Sequence, residues 1–350
     1  MLNIVSTFTP DMIRIAANLQ QRYDAWVFAI RDADSLPSSM YWINKPSGSY
    51  LAVKKNSGDN GTTVGAKNEE TEKTYSEYQS RRAAAEKAVQ DTGVVLADII
   101  RSYKDHKLPM AMERPATILR ELDIEGLLGT DLLTVGTNAF CAYEIEAGCK
   151  FSAGISDETD DFDLSWCRGS DVSLSKTSDR PVGSPLMRVL KRIDPSYRIN
   201  KGKPYQALDS TGYEVELLAA PSVFRTLAKN EVFVPMPIFF EQEWLLKGRP
   251  VRHVIVSRDA KACPIFAPDP RWMALHKLWL AEKPERNANK KPKDKTQGDA
   301  LLDLVMTKMK ASYPLDTDFI LDIPDELRRY FDRWANERGF VPQKPGFSLR

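Results

Sequence analysis

Between Asp11 and Asp34 apolar residues recur at helical spacing: Ile13, Ala16, Leu19, Tyr23, Trp26 and Ile30 predict one buried stripe. The pattern changes at "SMYWINKPSGSYLAVKK", where two short alternating runs flank Pro46-Ser47-Gly48 and predict a β-hairpin. "NSGDNGTTVGAKN" is polar and glycine-rich, the composition of a loop. From Glu69 to Lys107 the chain reads as a long charged helix with a break expected at Thr92-Gly93, and Pro109 and Pro115 mark a boundary. Elements then alternate: helix at "ATILRELDIEGLL" after strand-free Pro115, strand at "LLTVG", helix at "NAFCAYEIEAG", strand at "DFDLSW", helix at "SPLMRVLKRID" and strand at "GYEVELLA". After "VIVS", Pro270 is placed to start a helix, "GDALLDLVMTKMKASY" is amphipathic, and "DELRRYFDRWANERG" supplies a last helix ending at Gly339. No internal repeat is present. The pattern predicts an α+β fold with an α/β-type mixed sheet: accessory helices and hairpin over 1–110, a core over 111–260, and a helical domain over 261–350.

Strand alternation sorts the acids of "SDETDDFDLSW". Phe162, Leu164 and Trp166 share one face, while Asp161, Asp163 and Ser165 share the other; Asp160 falls on the apolar parity and is set aside. Residues two apart on a strand lie roughly 6.5 Å apart, near enough for two carboxylates to converge on a cation. The motif alone is weak, because acids at 48 of 350 positions give roughly six or seven acid-x-acid pairs by chance. It is read either as a solvated acidic turn or as a pair that needs a cation.

Two neighbours in the sequence change the weighting. Upstream, an apolar strand runs through Gly136-Thr137 into a helix, a turn that lets backbone amides and a hydroxyl approach a phosphate. Downstream, "GYEVELLA" puts Glu214 and Glu216 on one face of a strand. Each alone is an ordinary connection or a half-buried strand. In order, they supply a phosphate turn, an acidic pair and a further carboxylate, and three carboxylates can hold two Mg²⁺ ions about 3.5–4 Å apart. Such a site favours in-line attack at the α-phosphate of an NTP.

In this order of motifs the chain resembles the DNA polymerase-β-type nucleotidyltransferase superfamily. Within it, the chain is similar to a bacterial stand-alone nucleotidyltransferase-fold family marked by "GTNAFCAYEIEAG", "TDDFDLS", "APDPRWMALHKL" and a late Lys-Asp-x-x-Gln phrase, here "KDKTQGDALL". The resemblance spans roughly residues 115 to 310 and implies a polymerase-β-like core. It implies that Gly136 and Thr137 form the phosphate turn, that Asp161 and Asp163 are the metal pair, and that Glu216 is the third metal and catalytic carboxylate, with Glu214 competing. It further places Lys293, Asp294 and Gln297 toward the site, with Lys277 of the "HKL" phrase a lesser nucleotide contact. Two Mg²⁺ or Mn²⁺ ions and an NTP, ATP among the options, are implied with them.

Bulk numbers narrow the setting. With 42% hydrophobic residues in 350, the chain can bury a large core, and 49 basic against 48 acidic residues leave no global field toward nucleic acid or membrane. Four scattered cysteines form no ligand cluster, so structural zinc is not expected. The start lacks the pattern of a signal peptide and no run approaches the ~20 apolar residues of a membrane helix. A cytoplasmic protein is expected. "KPERNANKKPKDK" is either a solvated loop or a clamp for triphosphate or RNA backbone. His276, amid apolar neighbours, reads as a packed residue, and Tyr41, Trp42 and Tyr50 either pack the hairpin or stack on an acceptor base. The expectation is transfer of NMP from an NTP to a hydroxyl of a protein, RNA or small molecule. The alternative is a low-turnover nucleotide- or RNA-binding module of a toxin–antitoxin or defence system; a two-metal phosphodiesterase ranks third.

Overall fold

The computed structural model describes residues 4–56, 58–129, 132–152, 155, 161–167, 185–224 and 240–342. The chain opens with β1 (Ile4–Thr7), α1 (Pro10–Ser35), β2 (Ser39–Lys45), β3 (Gly48–Lys54), β4 (Thr62–Ala66) and α2 (Glu69–Asp105). β5 (Met110–Ala111), α3 (Glu113–Ile124), β6 (Leu132–Thr134), a 3-10 turn at Gly136–Ala139, α4 (Phe140–Ala147), β7 (Cys149–Phe151), β8 (Asp161–Trp166) and α5 (Pro185–Ile193) follow. Then come β9 (Arg198–Asn200), β10 (Lys203–Leu208), β11 (Glu214–Ala219), α6 (Pro221–Phe224), α7 (Gln242–Leu245), β12 (Val251–Ser257) and β13 (Ala262–Ala267). Four helices close the described chain: α8 (Pro270–Glu282), α9 (Lys291–Lys308), α10 (Thr317–Leu321) and α11 (Asp325–Arg338). The contacts divide it into two compact units, one of residues 17–105 and one of residues 1–16 with 106–350.

In the 17–105 unit, β2, β3 and β4 form an antiparallel sheet beside the two long helices. The predicted hairpin is present, and because Lys45 pairs with Gly48 its loop is Pro46-Ser47 alone, with Gly48 opening β3. The glycine-rich segment expected as a loop instead supplies β4, because Thr62–Ala66 finds a ready edge in β3. α2 runs unbroken through Thr92-Gly93 for 37 residues. The Thr92 hydroxyl donates to the Ala88 carbonyl at 2.6 Å and Gly93 sits against Trp26, so the packed helix carries the poor helix formers. The α1 stripe is also shifted: Ile15, Leu19, Tyr23 and Val27 are buried, while Ile13 is 54% exposed.

The larger unit is mixed α and β. Its main sheet has the order β6-β8-β11-β10-β9, with β8 and β11 parallel and the other pairs antiparallel. A second sheet, β13-β12-β5, and the β1–β7 pair complete it. Phe162, Leu164, Val215, Leu217 and Ala219 are all buried, which confirms the apolar parity of both central strands. Asp160 lies outside the described residues, as does the side chain of Trp166. Parallel neighbours buried at the sheet centre read as near-alternation only because one face carries acids.

α8 and α9 pack closely, and Gly298 makes this possible. A Cβ there would lie 2.6 Å from Leu278 Cγ and 2.9 Å from the Ala274 carbonyl. α8 starts where Pro270 predicted, with Asp269 capping the Arg271 amide at 3.0 Å. Among the described residues, no helix is long and apolar enough to cross a membrane.

Candidate active site

The parallel register of β8 and β11 sets Asp161 beside Glu214 and Asp163 beside Glu216. Four carboxylates, drawn from positions some 50 residues apart, therefore share the polar face of two adjacent strands. Asp163 is half-buried, and burial together with the charges of Asp161 and Glu216 pushes its carboxyl up to about 7, against the pull of Lys277 and Lys290. Burial also raises Glu216 above its ordinary range, opposed by its bond from Gln206 and reinforced by Glu214. The repulsion expected from the sequence is real, and this face is short of positive charge.

Two groups outside the predicted set manage that charge. Gln206, on β10 opposite Glu216, donates from Nε2 to Glu214 at 2.7 Å and Glu216 at 3.0 Å. Asn200 donates to its Oε1 at 2.6 Å and fixes the amide's orientation. Lys290, at the start of α9, places its ammonium 2.5 Å from Asp161 Oδ2. Burial works against the Lys290 charge, but the bond to Asp161 holds its ammonium above the usual range. The basic segment marked Lys290 in the sequence as one of several lysines, with nothing to single it out.

The Gly-Thr turn lies against the same acids. Gly136 has φ +71°, and a Cβ there would come 2.8 Å from Asp163 Oδ2. The Val135 amide donates to the Asp163 carbonyl at 3.1 Å, tying the turn to β8. Thr137 Oγ1 accepts from Gln297 Nε2 at 3.3 Å, and the same nitrogen donates to the Ile155 carbonyl at 2.6 Å. Gln297 is fully buried, and its Oε1 has no partner among the described residues. Lys290, Lys293 and Gln297 are spaced i, i+3, i+7, so Lys293 lies on the stripe whose two ends reach Asp161 and Thr137.

Lys277 is placed differently. Its ammonium is buried and bonded at 2.8 Å to Asp294, whose other oxygen takes Arg286 Nε at 2.7 Å. Burial alone would raise the Asp294 carboxyl, but the two cations hold it below the usual range. This closed triad braces α8 against α9 beside the acidic face. Two more cations of the basic segment are also paired, Lys283 with Glu241 and Lys295 with Asp299. His276 is buried between Trp244 and Trp279, with both ring nitrogens unpartnered among the described residues. Burial pushes its imidazole down to about 3, so it packs as a neutral ring.

The donors on the acidic face are hard carboxylate oxygens, the chemistry Mg²⁺ and Mn²⁺ prefer. Among the described residues no three such groups converge on one point, since Gln206 engages both glutamates and Lys290 engages Asp161. The residues fit a divalent cation by charge and donor type, with the Lys290 ammonium standing where positive charge is required.

The domain is mixed α/β and sets a glycine turn and the lysine at the start of a helix against an acidic sheet face. Residues 113–319, more than half of the chain, match the family described as Nucleotidyltransferase, and the chain belongs to that family. Membership implies an NTP substrate and transfer of its NMP moiety. No curated protein and no solved structure matches the chain.

Proposed function

We propose that the protein is a metal-dependent nucleotidyltransferase with a polymerase-β-like core, acting on a hydroxyl acceptor and releasing pyrophosphate. The observation that carries this reading is the packing of Gly136 onto Asp163 within a four-carboxylate face, inside the segment that matches the family. Asp161, Asp163 and Glu216 would hold two Mg²⁺ or Mn²⁺ ions, which supply charge neutralisation on the phosphates and acidify the acceptor hydroxyl. Gly136 lets the turn close on Asp163, so that phosphate and metal would meet at one place, and Thr137, oriented by Gln297, would present its hydroxyl to the phosphate oxygens. Lys293 and Lys290 offer ammonium groups to the triphosphate; Lys290 gives up Asp161 when nucleotide enters. Lys277 acts at one remove, holding α8 and α9 in register through Asp294.

In the reaction the acceptor oxygen bonds to the α-phosphorus as the bond from that phosphorus to the β-phosphate oxygen breaks. Glu216 would take the hydroxyl proton. Positioning and electrostatics supply most of the rate in such transfers. The test incubates the protein with each α-labelled NTP, Mg²⁺ or Mn²⁺, and separate pools of RNA and protein. Label transferred with equimolar pyrophosphate supports the reading and names the acceptor class. Release of free NMP indicates a phosphodiesterase, and nucleotide binding without turnover indicates a sensing module; either result removes the proposal.

A further inference from the structure

The three-stranded sheet of the 17–105 unit has two unlike faces. Trp42 and Leu51, paired across β2 and β3, turn toward α2: Trp42 meets Tyr75 edge-on at 5.7 Å and Leu51 is fully buried. The opposite parity carries Tyr41, Ile43 and Lys45 on β2 with Tyr50, Ala52 and Lys54 on β3. The three large apolar side chains of this face, Tyr41, Ile43 and Tyr50, remain half-exposed. The sequence offered Tyr41, Trp42 and Tyr50 as one group, and the register separates Trp42 from the two tyrosines.

We propose that this face binds single-stranded nucleic acid. Tyr41 is paired with Ala52, two residues along β3 from Tyr50, so the rings are diagonal neighbours about 7–8 Å apart at the backbone. That spacing gives one ring to each of two consecutive splayed bases, as in other sheets that bind single strands through aromatics on adjacent strands. Each ring has its own cation: Lys54 Nζ lies 5.8 Å from the Tyr41 centroid and Lys45 Nζ lies 5.3 Å from that of Tyr50. Each ammonium lies over its ring in the free protein, and a base stacking there would displace it, on its flexible stem, to the adjoining phosphate. Charge agrees with this occupant. The chain as a whole is balanced, but residues 39–61 hold Lys45, Lys54 and Lys55 against Asp59 alone, while Lys67 lies over Trp42 on the other face and pairs with Glu72. The Asp59 carboxylate is taken up within its own turn by the amides of Lys55 and Gly61. An acidic peptide would use the lysines but leave the diagonal tyrosine pair without a role.

The test measures anisotropy of labelled oligo(rA), oligo(dT) and a duplex of equal length with the full chain, without NTP or metal. Its result is therefore independent of the nucleotidyl-transfer reading. Single strands bind and the duplex does not; Tyr41→Ala and Tyr50→Ala each weaken binding by about fivefold or more. Tyr41→Phe and Tyr50→Phe retain affinity because stacking needs only the ring, which also separates lost contact from lost fold. Lys45→Gln with Lys54→Gln lowers the slope of log affinity against log salt by about 1.4, since each phosphate contact on a single strand contributes about 0.7. Oligo(dA) added beside oligo(rA) holds the base constant, and the ratio of those two affinities separates RNA from DNA. No saturable single-strand binding, equal duplex binding, or wild-type affinity in both alanine variants overturns the proposal, as does self-association abolished by the same variants.

Discussion

Asp163 and Asp294 lie in neighbouring parts of one unit, both drawn into the protein, and their carboxyls are displaced in opposite directions. Asp294 has Lys277 and Arg286 on its two oxygens and is held below the ordinary carboxylate range. Asp163 has Asp161 and Glu216 as neighbours and is pushed up to about 7. A carboxylate whose partners are built into the fold is a brace. One surrounded by like charge is where the proposed function places a cation from outside. The two also differ in provenance: the brace joins residues 17 apart on two packed helices, while the acidic face requires pairing of strands whose acids are more than 50 residues apart.

The largest effect that sharpens this contrast is on activity. Replacing Asp161 and Asp163 together by alanine is expected to reduce nucleotidyl transfer by about 10³-fold or more, measured as label transfer, while circular dichroism stays that of the wild type. Asp294→Ala acts on the fold instead. It leaves the Lys277 ammonium buried without its partner and is expected to cost about 3–5 kcal/mol in denaturant unfolding. If Asp294→Ala left stability unchanged, the brace would be no brace.

Asp163→Asn is expected to move stability the other way. The unfolded carboxyl ionises near 3.8 and the folded one near 7, so the folded state holds this proton more tightly. The stabilisation that the proton provides is full below about pH 4 and lost as pH rises through 7. Asparagine, which never ionises, should therefore be more stable than wild type at pH 8 by about 1–2 kcal/mol after allowance for solvent screening, and equal to it near pH 4. Glu144, buried and likewise raised to about 7, contributes in the same window in both proteins and cancels in the difference. Thermal unfolding across pH reads the effect, and equal midpoints at pH 8 would contradict it.

Gly136→Ala should follow with a loss of about 1–2 kcal/mol, from the left-handed backbone and the pressure of a Cβ on Asp163. Activity should fall further than stability predicts, because the shifted group is the Asp163 carboxylate. The smallest expected effect is that of Lys290→Met. Removing the ammonium from Asp161 should tighten Mn²⁺ binding to nucleotide-free protein several-fold while weakening NTP binding, since the lysine competes with one and assists the other. A fall in both would make Lys290 a structural residue only.

Much of this layout was legible in the sequence because it is local. Alternation in "DFDLS" and "EVELL" sorted acids from core residues, and Pro270 and Gly339 marked the ends of helices where they lie. The errors were also local readings, overruled by contacts at a distance. β4 forms in a glycine-rich segment because β3 offers an edge, and α2 passes Gly93 because the helix is packed along its length. Gln206 and Lys290 carried no motif. Their importance comes from the pairing of β10 with β11 and from the packing that brings the start of α9 over β8, neither of which periodicity encodes.

If the acidic face is a cation site and the Asp294 triad is not, metal binding must depend on Asp161 and Asp163. Mn²⁺ titrated into wild type and into the Asp161→Asn, Asp163→Asn double variant, each with a non-hydrolysable NTP analogue, tests it directly. Two bound ions per wild-type chain are expected by electron paramagnetic resonance, with loss of both from the variant. Equal binding to both proteins would contradict it.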